Sequence, residues 1–244
     1  MSQMHRFMDY CEAFKNLVVS PKETEELVVE GQTILGDMLS NPDFLLENLS
    51  AITESRQEED YLPIDVNDIT IYRDPDRLIS IRLFIWQHNF PYPIHDHGSW
   101  GIFGCLTNQI QETKYRRKDE GTQEDYAELE IQSEAVLKPG DTSFVLPLDQ
   151  GIHKMRSYGG KTALSVHVYG KPLRTGFIRG FLPSYNASYK MFPVKLHRRV
   201  LAIKALEAMG SDWAQEILRI TARDENEIVR EISREALDNI KGTK

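Results

Sequence analysis

Between residues 64 and 175 the chain is written in short stretches of β-branched and aromatic residues. Turn formers stop each one: "DITIYRDPD", "RLISIRLFIWQ", "SWGIFGCL", "EAVLKPGD", "TSFVLP" and "TALSVHVYG". Such stretches, evenly spaced and with no helix-length segment between them, point to antiparallel strands forming a sandwich or barrel.

The ends follow a different period. Apolar residues recur at three and four in "FMDYCEAFKNLVV" and "ELVVEGQTILGDML", which predicts helices near residues 5–18 and 21–39. A third is expected near 42–53. Ser20 before Pro21, with Glu23 following, and Asn41 before Pro42 read as N-caps with proline in the first turn. After "GFLPSYNASYKMFP" the helical period returns in "VKLHRRVLAIKALEAMG", "DWAQEILRITA" and "ENEIVREISREALDNI". The last two stretches, with Asp212 and Asp224 near their starts, resemble a HEAT-type repeat. Fewer than three such units rarely stand alone, so this segment is expected to pack on the barrel or to be a candidate surface for a homo-oligomer or protein partner. The expected domains are N-terminal helices over 1–60, a barrel over 61–175 and a helical segment over 176–244.

Charge narrows the function classes. With 37 acidic against 29 basic side chains the formal charge is −8, which gives no electrostatic reason to bind nucleic acid or an anionic membrane. P-loop and dinucleotide-binding glycine patterns are absent from the sequence. Two cysteines, Cys11 and Cys105, do not make a disulfide framework. No apolar run is long enough for a membrane helix, and "MSQMHRFMDY" lacks the apolar core of a signal peptide. A cytoplasmic protein is expected.

The chemistry begins at "PYPIHDHGSWG", residues 91–101. Alternate strand residues share a face, so His95 and His97 project together while Asp96 points the other way. Gly98 permits a bend or a close approach by another group. A third ligand is available from His153 in "PGDTSFVLPLDQGIHKM", where a turn, a short strand and a second turn lead to the histidine.

His-x-His-Gly, then PGD and a later His, resembles the metal site of the cupins, over roughly residues 65–172. Within them the motifs most resemble cysteine dioxygenase and the bacterial thiol dioxygenases. The resemblance implies a mainly β fold with helical flanks: a cupin double-stranded β-helix, or jelly-roll barrel. It also implies iron(II) held by three histidines, with nickel or zinc as alternatives in purified protein. Many cupins add a glutamate four or five residues after the second histidine; here those positions are Gly101 and Ile102. Thiol dioxygenases likewise lack it.

In "ALSVHVYG", Ser165, His167 and Tyr169 share one face and Leu164, Val166 and Val168 the other. A polar row needs solvent, a wet lumen or a partner network. The resemblance implies the network: Tyr169 hydrogen-bonds substrate or oxygen, His167 orients its hydroxyl, and Ser165 fixes the imidazole. The cysteine of mammalian cysteine dioxygenase that joins the active-site tyrosine corresponds to Ile102, with Cys105 at opposite strand parity, so no crosslink is expected.

The family's carboxylate-binding arginine has no direct counterpart. In "ISIRLFIW" one face carries Arg82, Phe84 and Trp86, and Trp86 stands nine residues before His95, as a tryptophan does in the family pocket. Arg82 and Trp86 are therefore the candidates for binding substrate. An Arg82 on the outer sheet face, bonded to a helix carboxylate, is equally consistent with the pattern, and Arg73 and Arg156 are alternatives. The expected function is oxidation of a small thiol by dioxygen to its sulfinic acid. A metal-binding cupin with a sensing, protein-binding or different catalytic role is the other reading.

Overall fold

The computed structural model describes residues 3–41, 67–88, 90, 92–210 and 212–242. These fall into two compact units, one ending at Lys190 and the other beginning at Met191. The helix expected near 42–53 lies outside the described residues.

In the first unit, α1 (Gln3–Val19) and α2 (Thr24–Leu39) precede the described strands β1 to β11. The five-stranded sheet has the order β1 (Asp68–Arg73), β2 (Ile79–Trp86), β9 (Ala163–Gly170), β4 (Gly101–Thr107), β7 (Thr142–Val145). The six-stranded sheet runs β11 (Ala187–Met191), β10 (Ile178–Leu182), β3 (Ile94–His97), β8 (Leu148–Tyr158), β5 (Gln109–Arg117), β6 (Leu129–Leu137). The registered pairs are antiparallel. Sequence neighbours β3 and β4 lie in opposite sheets, as do β4 and β5, and β7 and β8. The chain thus crosses between sheets as a jelly roll does. The mainly β fold expected from the turn-and-strand rhythm is the fold observed.

Two details differ from the sequence reading. Pro21 does not open α2. The Ser20 hydroxyl and amide both bond the Leu17 carbonyl, at 2.6 and 3.2 Å, so this serine closes α1 and α2 starts at Thr24. Two strands, β10 and β11, also follow residue 176, where a helical segment was expected; "FIRGFLPSYNASYKM" extends the six-stranded sheet beyond β3.

The helices explain why β9 is apolar on the side away from its polar row. Phe14, Leu17, Leu27, Val28, Leu35 and Met38 form one buried cluster with Ile81, Leu83, Ile102, Val166 and Val168. Lys15 adds an ion pair at 3.0 Å to the buried Asp74 beyond β1. The other side of the same sheet contributes Phe84, Trp86, Phe103 and Cys105 to a separate core with Ile110, Val145 and Met155. Both faces of β2, β4 and β9 are therefore covered, and each buried aliphatic side chain contributes about 1.5–3 kcal/mol.

The second unit holds α3 (Val194–Met209), α4 (Asp212–Thr221) and α5 (Glu227–Gly242). Ile203, Leu218, Val229, Ala236 and Ile240 give it a core of its own. Gly210, left-handed at φ 60°, ends α3, and Asn226 Oδ1 accepts the Val229 amide at the start of α5. No described helix is long and apolar enough to cross a membrane.

Because Phe14 is fully buried between helix and sheet, Phe14→Ala is expected to destabilise the protein by about 3–5 kcal/mol. Chemical denaturation should show this loss, with metal content unchanged in the folded fraction.

Candidate metal centre

Strand β3 carries His95 and His97 into the space between the sheets, and β8 brings His153 directly opposite His95. All three are buried. Among the described residues they are the group able to hold a metal ion, their ligand atoms lying within 4.8 Å of one another. Nε2 of His97 is 2.9 Å from Nε2 of His153. Metal–nitrogen bonds of about 2.0–2.1 Å place neighbouring ligand nitrogens about 3 Å apart, so the spacing suits a single ion.

The outer ring nitrogens are held from behind. His95 Nδ1 lies 3.1 Å from the Pro93 carbonyl and donates to it. His153 Nδ1 donates at 2.9 Å to Glu112 Oε1. Both rings thus carry a proton on Nδ1 and leave Nε2 facing inward as the atom available to a metal. Burial, followed by repulsion from His153, pushes His95 down to about 3. Burial first, then the other histidines and Arg82, holds His97 well below the ordinary histidine value. Neutral imidazoles are the ligand form.

Asp96, between the two ligands, points away from them. Its Oδ1 accepts from the Arg174 guanidinium and, at 2.7 Å, from the Arg179 amide, tying β3 to β10 and the segment before it. Gly98 lies where a β-carbon would sit 2.3 Å from the Arg174 carbonyl, which is the close approach its sequence position predicts. The cupin glutamate positions are empty of carboxylate, as the sequence states. Ile102 faces the helical core rather than the histidines. The residue that borders Tyr169 is Gly101: a β-carbon there would lie 2.7 Å from Tyr169 Cε1.

Beside the histidines runs a buried hydrogen-bond chain across β2 and β9. Trp86 Nε1, which can only donate, bonds Ser165 Oγ at 2.8 Å. Ser165 Oγ lies 2.7 Å from His167 Nε2, and His167 Nδ1 lies 2.9 Å from Tyr169 Oη. In the tautomer with the His167 proton on Nδ1, Ser165 donates to Nε2, His167 donates to Tyr169, and the Tyr169 proton is left for a group outside the relay. The Tyr169 ring lies 5.5 Å from that of His97. Burial, helped by His153, His95 and Arg82, keeps His167 neutral well below its usual range.

Ser165, His167 and Tyr169 thus form one row. Trp86 joins it as a hydrogen-bond donor; its polar atom is committed to Ser165, and its ring stacks on Phe84 at 5.5 Å. Arg82 lies opposite His167 on β2, with its guanidinium carbon 5.4 Å from the Tyr169 ring centroid. It pairs with Asp68 on β1 at 2.6 Å, so its carboxylate partner comes from the sheet and not from a helix. Arg156 is exposed and bonded to Gln111, and Arg73 is exposed at the end of β1. The residue that the sequence reading missed is Glu112. Its signal was the alternation of "QIQETK": the parity that buries Ile110 also turns Glu112 inward.

No family model matches the chain. Among solved structures it is similar to TT1209 from Thermus thermophilus, with 16% identity, TM-score 0.33, and coverage of 49% of this chain and 92% of that one. A cupin 2 conserved barrel domain protein from Salinispora arenicola CNS-205 gives 12% identity and TM-score 0.33, covering 48% and 87%. The DMSP lyase DddQ from Ruegeria pomeroyi DSS-3 gives 16% and 0.33, covering 50% of this chain and only 55% of the lyase. The strand order and side-chain geometry define the class here: a jelly-roll barrel with a three-histidine group able to hold a metal ion.

A histidine whose folded pKa lies below its unfolded value takes up a proton only on unfolding across the interval between the two. Stability is therefore complete above about pH 6.5 and falls as pH drops below it, by up to about 1.4 kcal/mol per pH unit for each such histidine. Chelator-treated protein should lose thermal stability between pH 7 and 5 in calorimetry, and His167→Gln should flatten that decline.

Proposed function

We propose that the chain is a mononuclear non-haem iron thiol dioxygenase, converting a small thiol RSH and dioxygen to the sulfinic acid RSO2H. The observation that carries this reading is the end of the Trp86–Ser165–His167–Tyr169 chain, which brings a phenol beside a three-histidine group with no carboxylate among its ligand atoms. Iron(II) held by the Nε2 atoms of His95, His97 and His153 would supply a Lewis acid for the thiol and electrons to engage dioxygen.

The protein side of the reaction follows from the residues. Three neutral imidazoles leave the positive charge of the site to anionic ligands, which favours a thiolate over a thiol. Tyr169 donates its hydroxyl proton as a hydrogen bond to an oxygen or sulfur atom at the site, and His167 and Ser165 hold that hydroxyl in place. Arg82, shared with Asp68, gives positive charge near Tyr169 for a substrate carboxylate. Phe84, Phe103 and Tyr92, packed around His167, His153 and His95, restrict water at the site. Both oxygen atoms end on sulfur, and the side chains finish unchanged.

An oxygen electrode with iron-loaded protein and a panel of small thiols tests this reading. One dioxygen should be consumed per sulfinic acid formed; His97→Ala should abolish uptake, and Tyr169→Phe should slow it by about 10- to 100-fold. Iron-loaded protein that consumes no oxygen with any thiol in the panel would count against the dioxygenase. It would favour the second reading, a metal-sensing barrel whose state is passed to a partner by α3–α5; the separate core of those helices is the observation behind it.

A further inference from the structure

We propose that Glu112 is an outer member of the metal centre: its carboxylate fixes His153 with Nε2 inward and sets how tightly the site holds a divalent cation. This rests on the reading of the three histidines as metal ligands and is independent of the substrate.

Glu112 lies on β5 and is 2% exposed, while His153 is 1% exposed. Both carboxylate oxygens are engaged. Oε1 accepts from His153 Nδ1 at 2.9 Å, and Oε2 accepts from the buried Ser143 hydroxyl at 2.7 Å. The nearby ammonium of Lys114 stands 4.0 Å from Oε1 and gives its hydrogen bond to the Phe144 carbonyl, at 2.8 Å. A carboxylate this deep is costly unless its charge is well compensated. Its two direct partners are the His153 imidazole and a hydroxyl, and the lysine adds positive charge only at a distance. A divalent ion on the opposite side of the His153 ring would add to that compensation through the ring.

The same arrangement has three effects on the metal. It selects the His153 tautomer that coordinates through Nε2, it prevents the ring from turning, and it makes the imidazole a better electron donor. The inner coordination remains neutral and open, while one negative charge stands behind it. Glu112 is thus a positioning residue, acting through His153.

Cobalt(II) titrated into chelator-stripped, full-length protein, in competition with a chelating dye, tests the inference. Glu112→Gln keeps an acceptor of the same shape and removes the charge. It should weaken cobalt binding by about 10- to 100-fold and shrink the thermal shift that cobalt produces, while the metal-free protein stays as stable as wild type. Should this variant not fold, Ser143→Ala, which frees the carboxylate from its second anchor, should weaken binding several-fold. Wild-type affinity in whichever variant is folded overturns the role of Glu112 alone. A Glu112→Gln variant that is less stable with and without metal, at unchanged affinity, also overturns it. A folded wild type that binds no cobalt overturns this inference and the metal reading together.

Discussion

Buried polar groups must find partners inside the protein, and this barrel is organised around a strand that satisfies the rule on one face and needs nothing polar on the other. Val166 and Val168 of β9 sink into the cluster beneath α1 and α2. Ser165, His167 and Tyr169 turn into the barrel, where they join Trp86 in one hydrogen-bonded chain. An indole can only donate, so the Ser165 oxygen accepts at the closed end of that chain and keeps its own proton and a second lone pair for His167. The neutral His167 ring donates at one nitrogen and accepts at the other, so its tautomer decides whether the phenol's proton faces along the chain or away from it.

The metal ligands are constrained by the same logic from the opposite sheet. A solitary pair of inward histidines could rotate or exchange tautomers. Here the Pro93 carbonyl holds His95 and Glu112 holds His153, while Asp96 anchors β3 on its outer side through Arg174 and the Arg179 amide. The aspartate in His-Asp-His is thus committed to the scaffold. The three histidines and the buried carboxylate behind one of them would divide, around a metal, two tasks that an inner glutamate would combine: occupying a coordination position and supplying charge.

Much of this was legible in the sequence because it depends on local periodicity. Period two places His95 with His97, and Ser165 with His167 and Tyr169, whichever strands lie beside them. The turn residues of "PGDTSFVLPLDQGIH" likewise mark the approach to His153. What the sequence hid depends on pairing across strands. Glu112 shares the parity of Ile110 in "QIQETKYRR", but which face of that strand is buried is set by β8 lying alongside. The partner of Arg82 is Asp68, because β1 pairs with β2 in a register that no local pattern states. Strands β10 and β11 escaped notice because Gly180 and Pro183 break "FIRGFLPSYNASYKM" into pieces too short to show alternation.

Placing the carboxylate one residue outward has a chemical consequence for the choice between metal-site designs. A glutamate bound directly would cancel part of a divalent ion's charge and occupy a position that an incoming anion could use. Glu112 touches only the outer nitrogen of His153, so it would raise that ring's donor strength toward a metal without filling a coordination position. Gly101 contributes on the other side: with no β-carbon, it leaves the Tyr169 ring close to β4 and to the His97 ring. A three-histidine group with no carboxylate among its ligand atoms and a phenol beside it is thus a consequence of where one carboxylate and one missing β-carbon lie. Exchange of either would change the chemistry of the site before it changed the fold.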